Sequence, residues 1–418
     1  MLGPQGNGGS PRVGQGGQQV TPDMQPAGHG DALICTSSDV RHQPLEAVLL
    51  ATRPHQLQVP LFQRRYCWGP EQWAKLEADV QTAASSGGKL FVGRVLSFIG
   101  PNSPHTLVCD GQQRLVTLTL LLAAVRDLAL AEGVAAPEIA AEIDALLFLD
   151  SAKREQGALV PTHDDRAPYA LALARPGEAP PSSVAVEPGV SAAAAAAAAP
   201  PSPAGEGIGE CKRFLIERVR ASLERHHPAT PTSAPAEAAA CRAAWAARLA
   251  ELSRTLRQRV ELIVFQLDAD VEVHRVFEEI ADREKALKTL WNFAIPGMQV
   301  SACDLIRNLM MSYVKDESEQ ARLHVDYWLE MERHATGGSG KSFDLESFFM
   351  AFLHSVGFSV GIRPELYAGF RAWLKAVVAE VDSADSAAVG GTIERALQLC
   401  LAEAKKWEAH IHTRVPPA

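Results

Sequence analysis

Apolar positions change their spacing several times along the chain, and each change marks a different kind of element. Within residues 71–84, Trp73, Leu76 and Val80 recur at intervals of three and four, which predicts an amphipathic helix. Before it, residues 45–50 read as a short helix and 58–66 as an extended segment around Pro60. After it, 90–99 (LFVGRVLSFI) alternates between Gly87-Gly88 and Gly100-Pro101, a strand bounded by turn signals. Residues 106–109 predict a second short strand. It runs directly into a helix at 115–131 that is apolar on nearly every face, as a buried helix must be. Farther on, Trp245, Leu249, Leu252 and Leu256 form a helical stripe, and 260–267 (VELIVFQL) reads as a strand. Val273, Val276, Phe277 and Ile280 begin another helix, and 304–314, 322–334 and 343–356 continue the helical period. The expected class is α+β, with a small sheet and a mainly helical second half.

Between these patterns lie stretches that cannot bury enough apolar surface to offset chain entropy. Residues 1–40, rich in Gly, Gln and Pro, read as a disordered tail. Residues 178–206, with an unbroken alanine run from Ala192 to Ala199 between prolines, read as a low-complexity linker or insertion. A smaller break covers 226–240. The expected organisation is an N-terminal α+β domain at 41–177 and a mainly helical region at 207–415. No repeat of solenoid length is visible.

Composition narrows the picture without naming a function. The 418 residues are 47% hydrophobic and 21% charged, with 40 basic against 49 acidic side chains and a net charge of -9. Such a balance disfavours a surface that is basic overall, so nucleic acid has to be argued from a local site. Seven dispersed cysteines without a CxxC pair argue against a zinc ribbon or a secreted disulfide framework. The longest apolar stretch, 115–125, falls well short of the roughly 20 residues of a membrane span. The N-terminus lacks a basic start followed by an apolar run. The expectation is a soluble intracellular protein, cytoplasmic or nuclear, with no membrane partner.

The strongest candidate chemistry is the strand-turn-helix at 110–114, Asp110-Gly111-Gln112-Gln113-Arg114. A helix N-terminus presents unpaired amides and partial positive charge, Gly111 allows close approach to the backbone, and Arg114 adds a guanidinium fork. Together these suit a phosphate, with Asp110 holding a metal ion or orienting water. The same residues also fit a capping box in which Asp110 accepts from the third amide and Gln113 reaches back. Both readings stay open on the residues alone. A second cluster, Gln63, Arg64, Arg65, Tyr66 and Trp68, offers arginines beside aromatics, able to grip phosphate and stack on a base. An edge strand with a solvated charged face would look the same.

These residues carry a family resemblance. The string 59–68 (VPLFQRRYCW), then Phe91-Val92-Gly93, then 108–115 (VCDGQQRL) with Thr117-Leu118, resembles the N-terminal domain of GmrSD-type, modification-dependent restriction endonucleases. Phe277-Glu278-Glu279-Ile280 and 304–308 (DLIRN) extend the resemblance to 260–309. It implies a ParB/sulfiredoxin-like core that binds and hydrolyses a nucleoside triphosphate, with Mg as the divalent metal, and so regulates cleavage of modified DNA by a nuclease domain. Carried over by position, Asp110, Gln112, Gln113 and Arg114 would be the hydrolysis residues. Gln63, Arg64, Tyr66, Gly111 and Arg114 would bind the nucleotide.

This chain departs from the family pattern at three places. Leu90 stands where the family has His, and Ala281 and Glu284 replace an Asn and a Gly. Residues 288–297 are extra. No HNH signature follows Leu309, so a nuclease partner would lie on another chain. Two further motifs carry less. Residues 335–342 (ATGGSGKS) fit a loose Walker A pattern but follow a charged helical stretch rather than a strand, and His410 and His412 lack partners at helical spacing. Three functions compete: a regulatory NTP hydrolase, a catalytically degenerate nucleotide- or DNA-binding module, and a helical interaction scaffold.

Overall fold

A computed structural model describes residues 39–60, 63–99, 105–131, 134–178, 207–226, 235–267, 301–314, 316–337, 342–358, 360–361, 365–379 and 386–413. Residues 1–38 of the tail, most of the alanine-rich linker, the helix expected from Val273, the 277–284 segment, 288–297 and the centre of the Walker-like loop lie outside these residues. So do the side chains of His410 and His412.

The N-terminal half runs β1 (Asp39–Pro44), α1 (Leu45–Leu50), β2 (Leu57–Gln58), α2 (Pro70–Ser86), β3 (Leu90–Ile99), β4 (Thr106–Asp110), α3 (Gln112–Leu130), α4 (Pro137–Leu147), β5 (Leu159–Val160) and α5 (His163–Leu173). Helix α2 starts with Pro70 at its first position, where a missing N–H costs nothing, and stops at Gly87 with φ 71°. Two long helices follow, α6 (Ile208–His226) and α7 (Pro235–Arg254). A π-helical turn (Thr255–Arg259) then leads into β6 (Val260–Leu267).

The sheet has six strands in the order β1-β6-β3-β4-β2-β5. Strand β3 is central, antiparallel to β4 and parallel to β6. Alternation along the strands gives the sheet two faces. Val95, Val108, Val260 and Leu262 join the main core with α1, α2, α3, α4, α6 and α7, while Leu96, Phe98, Cys109 and Leu267 form a small cluster of their own. Helix α3 is the centre of the main core: every residue from 115 to 129 is buried. Arg126, fully buried within it, donates to Asp127 Oδ1 at 2.8 Å and to Asp144 Oδ1 at 3.0 Å.

The second half is helical: α8 (Ala302–Ser312), α9 (Glu317–Leu323), a π-helical segment (His324–Leu329), α10 (Glu330–Ala335), α11 (Ser342–Ser355), α12 (Leu366–Val378) and α13 (Ser386–Thr413). Its core is aromatic, with Phe352 edge-on to Trp373 at 5.0 Å between ring centroids, a favourable quadrupole arrangement. No helix among the described residues is long and apolar enough to cross a membrane.

The mixed α+β class holds, and several local expectations shift. Strand β1 begins at Asp39, inside the segment read as tail, because its pairing with β6 supplies what its sequence does not advertise. Residues 235–240 are helix rather than linker. Pro235 takes a tolerated helix-start position and an alanine-rich run follows it. The helix expected over 322–334 is interrupted by the π-helical segment.

Candidate functional site

The site is built where β4 turns into α3. Gly111 is the N-cap of α3 with φ 90°, a left-handed conformation that glycine adopts without steric cost. A Cβ there would sit 2.7 Å from the Arg94 carbonyl oxygen, so the turn also needs the missing side chain for close packing against β3. The expected capping box does not form, and among the described residues no side chain caps α3. Asp110 Oδ1 instead accepts from the adjacent Gly111 N–H at 2.6 Å, and Gln113 turns away from the cap. The left-handed glycine lies between Asp110 and the helix and removes the extended N-cap geometry that the box requires.

Both glutamines hold the segment 63–68. Gln113 Oε1 accepts from the Cys67 N–H at 2.9 Å while its Nε2 donates to the Arg65 carbonyl at 3.0 Å. Gln112 Nε2 donates to the Arg64 carbonyl at 3.3 Å. Its Oε1 is buried without a hydrogen-bond partner, an acceptor that a ligand or water donor would satisfy. Gln63, 3% exposed, spends its Nε2 on the Cys109 carbonyl at 2.9 Å. Tyr66 points into the core: its hydroxyl lies 2.6 Å from Thr117 Oγ1 and accepts from Trp73 Nε1 at 2.8 Å. Gln63 and Tyr66 therefore hold the wall in place and do not line the cleft.

Arg114 lies against Gly93, where φ is 113° and an added Cβ would sit only 3.0 Å from the guanidinium carbon. Its Nη1 donates to the Arg94 carbonyl at 2.8 Å. Burial pushes the guanidinium below its ordinary range, with Asp110 opposing and Arg94 adding to that shift. The group still keeps its proton at neutral pH. Arg94 Nε donates to Asp110 Oδ2 at 2.9 Å. The thiol of Cys109 is pushed up to about 12 by burial and by Asp110, which rules it out as a nucleophile.

Arg64, Trp68, Asp110, Gly111, Gln112, Gln113 and Arg114 line one cleft. It holds about 20 Å³ of water-sized space, room for little more than one water or one phosphoryl oxygen, so the rest of any ligand would lie across its mouth. Among the described lining residues, the α3 N-terminus and the charges of Arg64 and Arg114 stand beside one carboxylate. This balance favours an anion. Among the described residues Asp110 is the one carboxylate lining the cleft, and Mg²⁺ is commonly held by one or two carboxylates plus phosphate oxygens. Among the described residues, no group of three or more His, Cys, Asp or Glu side chains is placed to hold a metal by itself.

Arg94, Asp164 and His324 were not singled out from the sequence. Arg94 follows Gly93 at a register shift between β3 and β6, and an arginine directly after a glycine inside an apolar strand was the available signal. Arg65 reaches away from the cleft to Asp164, with 3.5 Å between them. That pair lies within electrostatic range of His324, which is 3% exposed, and His324 in turn within range of Arg307 in the helical half. No pattern in sequence joins residues so far apart.

Residues 48–179 match the family model described as GmrSD restriction endonuclease, N-terminal domain. Among curated proteins, none matches the chain. The matched stretch includes the segment 63–68, strand β3, the β4–α3 turn and every residue lining the cleft. Residues 48–179 are thus similar to the N-terminal domain of GmrSD restriction endonucleases.

Proposed function

We propose that the cleft receives the phosphate end of a nucleoside triphosphate and that this chain is a regulatory, nucleotide-binding component of a DNA-restriction-like system. The observation that carries the reading is the α3 N-terminus, uncapped by any side chain and opening through Gly111 into a cleft flanked by Arg64 and Arg114. Backbone amides and two guanidinium groups suit phosphate oxygens, and Trp68 offers a face on which a base can stack. The orphaned Gln112 Oε1 would take a hydroxyl or amino donor from the same ligand. A ParB/sulfiredoxin-like core is the fold this reading implies, and the helix entering directly from β4 supports it.

Hydrolysis would use Asp110 to orient a water, with Mg²⁺ arriving on the nucleotide phosphates and Asp110 as its protein carboxylate. Both Asp110 oxygens are engaged, by Arg94 and by Gly111. That observation favours a second reading, nucleotide binding without turnover. Modified DNA would then be handled by a nuclease partner on another chain.

The test is calorimetric titration of the purified chain with ATP and GTP in the presence of Mg²⁺, together with a phosphate-release assay. Saturable binding that Arg64→Ala weakens supports the nucleotide reading. Phosphate release that Asp110→Ala abolishes supports hydrolysis, and binding without release selects the second reading. A wild-type chain that binds neither nucleotide overturns both.

A further inference from the structure

Arg94 makes three connections at the base of the cleft. Its side chain donates through Nε to Asp110 Oδ2 at 2.9 Å, its carbonyl accepts Arg114 Nη1 at 2.8 Å, and that same carbonyl is packed against Gly111. The placement follows from the backbone of β3. Gly93, with φ 113°, accompanies the register shift that lies between Phe91 and Arg94, and β3 regains its pairing with β6 at Arg94 opposite Ile263. Farther along, Leu96 pairs with Asp110 across β4, so the guanidinium reaches back along the strand to the carboxylate.

A carboxylate on the wall of an anion cleft opposes the ligand. Asp110 lines the same cleft as Arg64 and Arg114, and its side chain is only 12% exposed, so water does little to screen its charge. The Arg94 side chain is 43% exposed and lies against it. We infer that Arg94 is a positioning residue that neutralises and orients Asp110, so that a multiply charged phosphate can enter beside a carboxylate. The inference rests on the phosphate-binding reading of the cleft and extends it to a residue outside the cleft lining. Among the described residues, Arg64, Arg94 and Arg114 bring three guanidinium groups to the α3 N-terminus, a set that suits a di- or triphosphate.

The neutralising role predicts a rescue that a purely structural role would not give. Titration calorimetry with sodium tripolyphosphate and with ATP would compare wild type, Arg94→Met, Arg94→Lys, Asp110→Asn and the Arg94→Met/Asp110→Asn double variant. Methionine keeps the stem and the main-chain carbonyl that holds Arg114, and thermal melting checks that each variant is folded. The expected result is affinity about fivefold to tenfold weaker in Arg94→Met, most of it recovered in Arg94→Lys, and near wild-type affinity in the double variant. If Arg94→Met binds as tightly as wild type, or if Asp110→Asn does not restore its binding, the role of Arg94 is overturned while the cleft reading stands. Wild-type protein that binds neither probe overturns the cleft reading and this role with it.

Discussion

The Cys67 amide donates to Gln113 Oε1 at 2.9 Å across 46 residues of sequence, and the same side chain returns a bond from Nε2 to the Arg65 carbonyl. Gln113 thereby acts as a single rung of β-ladder made by a side chain. Gln113→Glu keeps the acceptor for Cys67 but places a carboxylate oxygen against the Arg65 carbonyl. The expected cost is about 1–3 kcal/mol, read as a lower urea midpoint. The Cys67 amide should also exchange faster with solvent. Unchanged exchange would show that the segment 63–68 is held by its other contacts.

Gly111→Ala combines a left-handed backbone with a Cβ 2.7 Å from the Arg94 carbonyl oxygen. Main chain cannot rotate aside as a side chain can, so β3 and α3 must separate slightly. Destabilisation of about 2 kcal/mol or more follows, together with loss of ligand binding at the cleft. Gly87→Ala is the control: it shares the positive φ but has nothing within 4 Å of the added methyl group. It should cost less, and equal losses would mean that contact with Arg94 does not matter.

Arg126→Met removes the central cation of a buried network. Asp127 keeps Lys212 at 2.6 Å and Asp144 keeps Arg175, so neither carboxylate loses every partner. The expected cost is about 3 kcal/mol, the lower end for breaking a buried pair, measured by chemical denaturation. Asp144→Ala, which takes a partner from both Arg126 and Arg175, should cost more.

Two buried groups give stability opposite dependences on pH. Burial, with Arg307 adding to it, pushes His324 down to about 3 from its ordinary 6.5. The unfolded chain therefore takes up this proton first. The contribution is present above about 6.5 and is lost as pH falls toward 3. Burial pushes Asp165 up to about 6, against the bonds it accepts from Thr162 and Tyr66. Its contribution is greatest below the ordinary carboxylate value of 3.8 and is lost as pH rises toward 6. His324→Phe should flatten the fall in melting temperature on acidification. Asp165→Asn keeps an acceptor oxygen and should remove the loss between 3.8 and 6. Parallel melting curves for wild type and His324→Phe from pH 7 to 4 would mean that the imidazole is not held neutral by the fold.

Elements with a strong local period were legible in sequence: α2, β3, β4, α3, β6 and the stripe of α7. Strand β1 and the two-residue strands β2 and β5 were not, because they exist only through pairing with distant partners. At the site, the sequence singled out 110–114 and 63–68, segments that the fold brings together, yet the division of labour needed coordinates. Gln63 and Tyr66 look like ligand residues in a string of letters and turn out to point at Cys109 and Thr117. Arg94 is the converse case. Its position beside Asp110 depends on a register shift and a left-handed glycine, and neither leaves a periodic trace.

The central strand has a consequence for how the protein is made. Strand β3 pairs along its length with β6, which is synthesised well over a hundred residues later. Until residue 267 leaves the ribosome, roughly ten to thirty seconds after Ile99 at about 5–20 residues per second, one edge of β3 has no partner strand. A fragment cut at residue 179, the end of the family match, would keep that open edge permanently and would lack α6 and α7 over α3. Such an edge is a template for association with other chains.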